Sequence, residues 1–160
     1  MKGGLKGLLI GEVLDVQKHP NADKLVLTRV NTGNGAALSI VCGAPNVATG
    51  QKVVVAPVGA TIYPITGAPL TMKNAKIRGE ESQGMICAED EIGLGSSHNG
   101  IMVLSAAAIP GTKATEYFKP YEDYIFEIGL TPNRSDAMSH LGVARDICAY
   151  LSHHERKSYS

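Results

Sequence analysis

The apolar residues of the first 110 positions come in short runs, and glycine or proline punctuates nearly every junction between them. His19-Pro20-Asn21, Gly33-Asn34-Gly35, Ala44-Pro45-Asn46, Gly59, Thr66-Gly67, Gly79 and Asn99-Gly100 read as turns, because glycine supplies positive φ and proline pre-sets a turn dihedral. Between the turns the period is two. Over 24–32, Leu25, Leu27, Arg29 and Asn31 take one face and Val26, Thr28 and Val30 the other. Residues 7–17 alternate more loosely through Leu8, Ile10, Val13 and Val16, and 38–42 and 52–58 are compact β-branched runs. Residues 70–77, 84–87 and 101–104 read as further strands. Short strands at this spacing, with no long helix between them, predict a small all-β barrel or sandwich. Helical turns are expected at 88–92, acidic at the start as the helix dipole prefers, and at 112–118, stopped by Pro120.

The pattern changes after Pro120. Residues 124–130 predict one more strand, Thr131-Pro132-Asn133 a turn, and Ser139 the N-cap of a helix running to about residue 151. Leu141, Ala144, Ile147, Cys148 and Leu151 form one continuous apolar face on that helix. Such a face must be buried, either on the barrel or on a segment outside this chain. The domain division expected is a linker or introduced start at 1–6, a barrel at 7–119, a strand–turn–helix part of an incomplete neighbouring domain at 120–152, and a disordered tail at 153–160.

Composition narrows the function. With 160 residues, 44% hydrophobic and 19% charged, the chain has an ordinary globular profile, and no apolar run approaches the length of a bilayer span. Cys42, Cys87 and Cys148 are odd in number and widely spaced, which argues against a disulfide framework or a zinc site and for buried thiols in a cytoplasmic protein. GxSxG, P-loop and HExxH motifs are absent, and Gly93 and Gly95 begin a dinucleotide fingerprint that fails at His98. Glu89, Asp90 and Glu91 are adjacent on one turn and do not converge as an acid–base pair would. No catalytic or metal-ligating residue is therefore assigned. Charge is unevenly distributed although the net charge is zero. Residues 1–79 hold nine Lys/Arg against three Asp/Glu, and residues 80–127 hold two against nine. A basic half permits an anionic partner. Lys18, Lys24, Arg29, Lys52, Lys73, Lys76 and Arg78 lie in or beside the predicted strands, where they could follow a phosphate backbone. Stacking platforms are scarce, since Tyr63 is the only aromatic of the first 110 residues and there is no tryptophan.

Three separated motifs are more specific. His19-Pro20-Asn21-Ala22-Asp23-Lys24-Leu25, then Ile40-Val41-Cys42-Gly43-Ala44-Pro45-Asn46, then Lys76-Ile77-Arg78-Gly79 with Ser82-Gln83-Gly84-Met85-Ile86-Cys87, resemble the tRNA-binding domain of the EMAP-II type. The resemblance spans about residues 7–118 and implies a five-stranded OB-fold barrel. A fourth motif, Leu130-Thr131-Pro132-Asn133-Arg134-Ser135-Asp136 followed by Ser139-His140-Leu141-Gly142-Val143-Ala144-Arg145-Asp146-Ile147, resembles the segment after this barrel in the β subunit of bacterial phenylalanyl-tRNA synthetase. That resemblance implies a mainly β domain followed by a strand and an α-helix from a neighbouring domain. It implies a parent enzyme that joins phenylalanine to tRNA using ATP and Mg²⁺ as an (αβ)₂ heterotetramer. Aminoacylation would belong to the α subunit and editing to a later β domain, so this piece would do no chemistry and hold no cofactor of its own. It also implies that an N-terminal segment of the subunit packs on the 130–151 region. The implied partners are tRNA, the remainder of the β subunit and the α subunit, with no membrane.

Within those motifs, Pro20 and Asn21 are expected to build a turn with His19, and Gly43 and Asn46 to shape the loop after Cys42. Gly79, Ser82 and Gly84 are expected at a bend where the barrel closes. Lys24 either pairs with Asp23 across its turn or faces phosphate. Lys76 and Arg78 are read as alternating on one strand and sharing a face. With Lys24, Arg29 and Lys73 they are the candidates for phosphate contact. Two functions remain open: an accessory tRNA-binding module, and a structural module that braces other synthetase domains. Weak self-association through the 141–151 helix face is also expected.

Overall fold

The computed structural model describes residues 4–33, 35–121 and 123–159, which divide into two units, 1–122 and 123–160. The first unit is built on an antiparallel sheet. β1 (Leu9–Lys18) pairs on one side with β2 (Val26–Asn31) and on the other with β4 (Lys52–Pro57), and β2 pairs with β3 (Leu38–Cys42). β5 (Thr61–Ile62) pairs with β6 (Leu70–Thr71), and β7 (Ala75–Ile77) with β8 (Glu80–Ser82). β9 (Gly84–Ile86) and β10 (Val103–Leu104) both return to the free side of β4. A register shift between Val13 and Asp15 on β1 bends that strand, as a bulge does when a sheet must curl. The curl brings the β8–β9 junction against β3. Gln83 N–H donates to the Ser39 carbonyl at 2.8 Å, and Ser39 N–H donates to Gln83 Oε1 at 3.1 Å. Val41 N–H donates to Ser82 Oγ at 3.1 Å. The sheet is thus closed as the OB-type barrel that the sequence predicts.

β4 explains the strength of the core. Val53, Val54, Val55 and Ala56 are all fully buried, so this strand has no solvent face. Because side chains alternate along a strand, Val53 and Val55 join Val13, Val30, Ile40 and Ile86 inside the barrel. Val54 and Ala56 join Leu5, Leu8, Ile10, Ile62, Cys87 and Ala114 in a second core outside it. That outer core is roofed by the loops after β4 and by the short helix α1 (Ala114–Phe118). Residues 89–93 form turns with no regular helix, and the Glu91 carboxylate accepts the Ala88 N–H at 2.6 Å, the reach-back bond that opens a helical turn. The single strand expected over 70–77 is two short strands, β6 and β7, in separate hairpins.

In the second unit Ser139 caps α2 (His140–Glu155), accepting the Gly142 N–H at 3.1 Å. The helix runs past residue 151 into positions that the sequence reading gave to the tail. Arg134 bonds both Asp136, in the short 3-10 helix Ser135–Ala137, and Asp146 of α2. The Arg134 guanidinium holds the Asp136 carboxyl below its ordinary range. The expected strand over 124–130 is a correction: these residues join no sheet among the described residues. A strand is stable only when a neighbour satisfies its backbone groups, and no described segment does so here. Tyr124, Ile125 and Phe126 are at least four-fifths exposed. No helix among the described residues is long and apolar enough to cross a membrane.

Gly84 sets a stringent local demand in the barrel. Its φ is +145°, and a Cβ there would overlap the Ala56 carbonyl oxygen on β4. Gly84→Ala is expected to lower stability by about 3 kcal/mol, read as a lower urea midpoint at unchanged m-value.

Candidate nucleic-acid interface

The His19-Pro20-Asn21 turn is a clip. His19 is buried, and its Nδ1 accepts the Asn21 N–H at 3.0 Å. The ring proton therefore sits on Nε2, which donates to the Ile77 carbonyl at 3.1 Å. Asn21 Nδ2 donates to the Arg78 carbonyl at 3.3 Å. Two side chains from the loop after β1 thus hold the tip of the β7–β8 hairpin.

That tip corrects one expectation. β7 ends at Ile77, and Ile77 pairs with Glu80, so Arg78 and Gly79 are the two turn residues. Both have positive φ, +52° and +102°, as a tight type I′ hairpin turn requires. Arg78 therefore does not share a strand face with Lys76; it projects from the turn. Ala75 and Ile77 line a depression of about 630 Å³ with Val41, Met72 and Met85, and Lys73 stands at that depression too. Alternation puts Lys76 on the other face, directly opposite Glu81. Arg29, across β2 from Asp15, lines a different depression of about 260 Å³ with Asp15, Glu80 and Glu81. Lys24 lies exposed in the turn that follows Asn21 and makes no ion pair with Asp23. The structure thus sets Arg78 at a hairpin tip clipped to the loop that precedes Lys24. It leaves Lys73 on one flank of the hairpin and Lys76 and Arg29 on the other. None of the five enters an ion pair among the described residues.

The remaining motif residues hold loops. Asn46 bonds both backbone groups of Ile101, accepting its N–H and donating to its carbonyl, each at 2.9 Å. Gly100 leaves room for that amide. Gly43 lies close under Leu25, where a Cβ would stand 3.3 Å from Cδ2. Ser82, buried, accepts from Val41 and donates to the Gly84 carbonyl at 3.0 Å. Gln83 is the residue that sequence reasoning passed over, although it stands inside the Ser82-Gln83-Gly84 motif. The loop after β9 carries a further ionisable pair: His98 Nδ1 meets Asp90 Oδ1 at 3.0 Å. The hydrogen bond and charge of Asp90, with Glu91 behind it, push the imidazole above its ordinary value. Burial raises the thiols of Cys42 and Cys87. No group of three or more His, Cys, Asp or Glu is arranged to hold a metal ion among the described residues.

The sequence profile of the tRNA binding domain family matches residues 8–113, the whole of the barrel. The chain belongs to that family. Relatives place it further. It is 59% identical over 151 residues to the phenylalanine–tRNA ligase beta subunit of Bacteroides thetaiotaomicron, covering 94% of this chain and 18% of the relative. Against the same subunit of Porphyromonas gingivalis the identity is 55%, with the same two coverages. Against that of Salinibacter ruber it is 52% over 155 residues, covering 91% of this chain and 19% of the relative. The chain thus spans about a fifth of the length of the curated relatives it matches. It is a tRNA-binding domain of the kind those subunits carry.

The His98–Asp90 pair in this tRNA-binding domain makes a pH prediction. A raised folded-state value means that the interaction is present below the ordinary imidazole value, about 6.5, and fades as pH rises through the folded one. In an NMR titration His98 is expected to titrate above that ordinary value, and Asp90→Asn is expected to bring it down toward that value, with the Glu91 charge still holding it up.

Proposed function

We propose that the barrel is an accessory tRNA-binding module of a phenylalanine–tRNA ligase β subunit, and that it contacts tRNA phosphates through charge without doing chemistry. The parent enzyme would attach phenylalanine to its tRNA using ATP and Mg²⁺, in the cytoplasm, as an (αβ)₂ assembly with a catalytic α subunit. One observation carries the phosphate reading. The His19–Asn21 clip presents Arg78 from a left-handed turn position, Lys24 lies exposed in the turn after Asn21, and neither cation has an ionic partner among the described residues. An arginine in that conformation is strained where glycine would not be. Lys73, Lys76 and Arg29 add charge on the two flanks, with Arg29 partly offset by the carboxylates around it.

The test is a tRNA titration at about 50 and about 200 mM salt, across which phosphate-dominated affinity falls steeply. Arg78→Gly suits the turn, so stability should hold or rise by up to about 1 kcal/mol. The same variant, like Lys24→Ala, should weaken binding and lower the salt slope by about 1. An unchanged slope in both would remove the phosphate role from this end of the barrel.

A docking role for the second unit is favoured by a separate observation. Tyr124, Ile125, Phe126 and Ile128 are exposed, and they border an apolar depression of about 610 Å³ against Met138, Val143 and Ile147. An apolar surface of that kind marks an interaction site, and the remainder of the β subunit is the partner proposed. In the isolated chain the same surface should drive weak self-association. Sedimentation is expected to show a concentration-dependent shift that Phe126→Lys abolishes.

A further inference from the structure

We propose that the depression between β3, β6 and β9 accepts one unstacked base of an RNA strand, with Lys73 neutralising an adjoining phosphate. The inference rests on the tRNA-binding reading and adds where on the barrel, and to which part of an RNA, contact is made. Two depressions flank the β7–β8 hairpin, and they differ in charge. The one over β2 and β3 sets a single cation, Arg29, among the carboxylates of Asp15, Glu80 and Glu81. That arrangement repels a phosphate backbone. The one between β3, β6 and β9 has no carboxylate in its lining, and Lys73 is its one cation.

The lining also says what would enter. Val41, Met72, Ile77 and Met85 make the walls, and Leu70, 51% exposed, stands at the mouth. Methionine thioethers are polarisable and make favourable contacts with aromatic rings. A volume of about 630 Å³ falls within the range typical of ligand sites. A base inside a duplex cannot reach such a hollow, whereas one in a loop or at an end can. The hydroxyls in the lining are already engaged, Thr71 with Thr61 at 2.9 Å and Ser82 with Val41 and Gly84. The walls therefore read the face of a base and not its edge, and tolerate any base. Val41 and Met85 also line a second depression, of about 310 Å³, on the side of His98 and Asn99. Its lining includes the Glu91 carboxylate and no lysine or arginine, so the phosphate path does not extend there.

The test measures fluorescence anisotropy of the whole 160-residue chain with short single-stranded oligo-A and oligo-U RNAs and with a duplex of the same length. Single strands should bind about tenfold more tightly than the duplex, with oligo-A and oligo-U within about threefold of each other. Leu70→Asp puts a carboxylate at the mouth from an exposed position; its melting temperature should match wild type while single-strand affinity falls about tenfold. Lys73→Gln should lower both affinity and salt slope. Equal affinity for duplex and single strand, or wild-type binding by Leu70→Asp, overturns the inference. If tRNA binding then still depends on Arg78, the tRNA-binding reading stands without the base site. If the wild-type chain binds no tRNA at about 50 mM salt, both fall.

Discussion

The barrel depends on the seam between β3 and the β8–β9 junction. An antiparallel sheet of this size otherwise has a bare edge, which invites pairing with other chains. Here the seam is narrow, and side chains complete it. The backbone bond from Gln83 to Ser39 is answered by the Gln83 side chain, and the next edge donor of β3, the buried Val41 N–H, is taken by the Ser82 hydroxyl. Ser82 is 2% exposed, so removing its oxygen would strand a buried donor at a cost of about 1–3 kcal/mol. Gly84 follows at once because the chain must then pass against the carbonyl of Ala56 before pairing with β4. The three residues Ser82, Gln83 and Gly84 act as one unit: a seam, a lock and a close crossing.

The candidate interface hangs on the same seam. β8 runs directly into it, so the β7–β8 hairpin is held at its base by Ser82 and at its tip by His19 and Asn21. A hairpin of this length would be marginal alone. Fixed at both ends, it divides the surface into a cationic tip, a carboxylate-rich flank and an apolar flank. The candidate interface is held in place by the fold, so on the proposed reading the conformational cost of presenting Arg78 in a left-handed turn is met by folding rather than by binding.

Much of this was legible in the sequence, and the limits are physical. The alternation over 24–32 specifies a strand because Thr28 and Val30 are buried on its inner face while Arg29 stays outside, and the β-branched run at 52–58 specifies one because Val53 to Ala56 are buried on both faces. The motif residues His19, Asn46 and Gly84 were readable as loop-formers because few other residue types make those bonds or fit those backbones. Arg78 was not readable as a turn residue. Asn-Gly and Asp-Gly are the usual signals for a two-residue turn, and Lys-Ile-Arg-Gly reads as a strand until the hairpin partner is known. The 124–130 segment failed for the opposite reason. Its β pattern is strong, but a strand exists only in a pair, and alternation within one segment says nothing about whether a partner is present. The division of cations between two flanks was equally hidden, since it follows from where Arg78 leaves the strand.

The sparse aromatics and the placement of charge bear on how tightly such a barrel can hold RNA. Single-strand binders gain about 1–3 kcal/mol for each base stacked on an aromatic ring, and the barrel offers few rings. Proteins that rely on phosphates alone make about six to ten such contacts when they bind strongly. The five candidate cations here are divided among a tip and two flanks, and one of them sits among carboxylates. Contact through such a surface would, on the proposed reading, be weak and salt-sensitive in isolation. It becomes effective when other contacts hold the same RNA nearby, because a tethered second contact acts at a high effective concentration. On the proposed reading, a barrel with a cationic tip and few rings would suit adjusting how an RNA already held elsewhere is oriented, a positioning role rather than a capturing one.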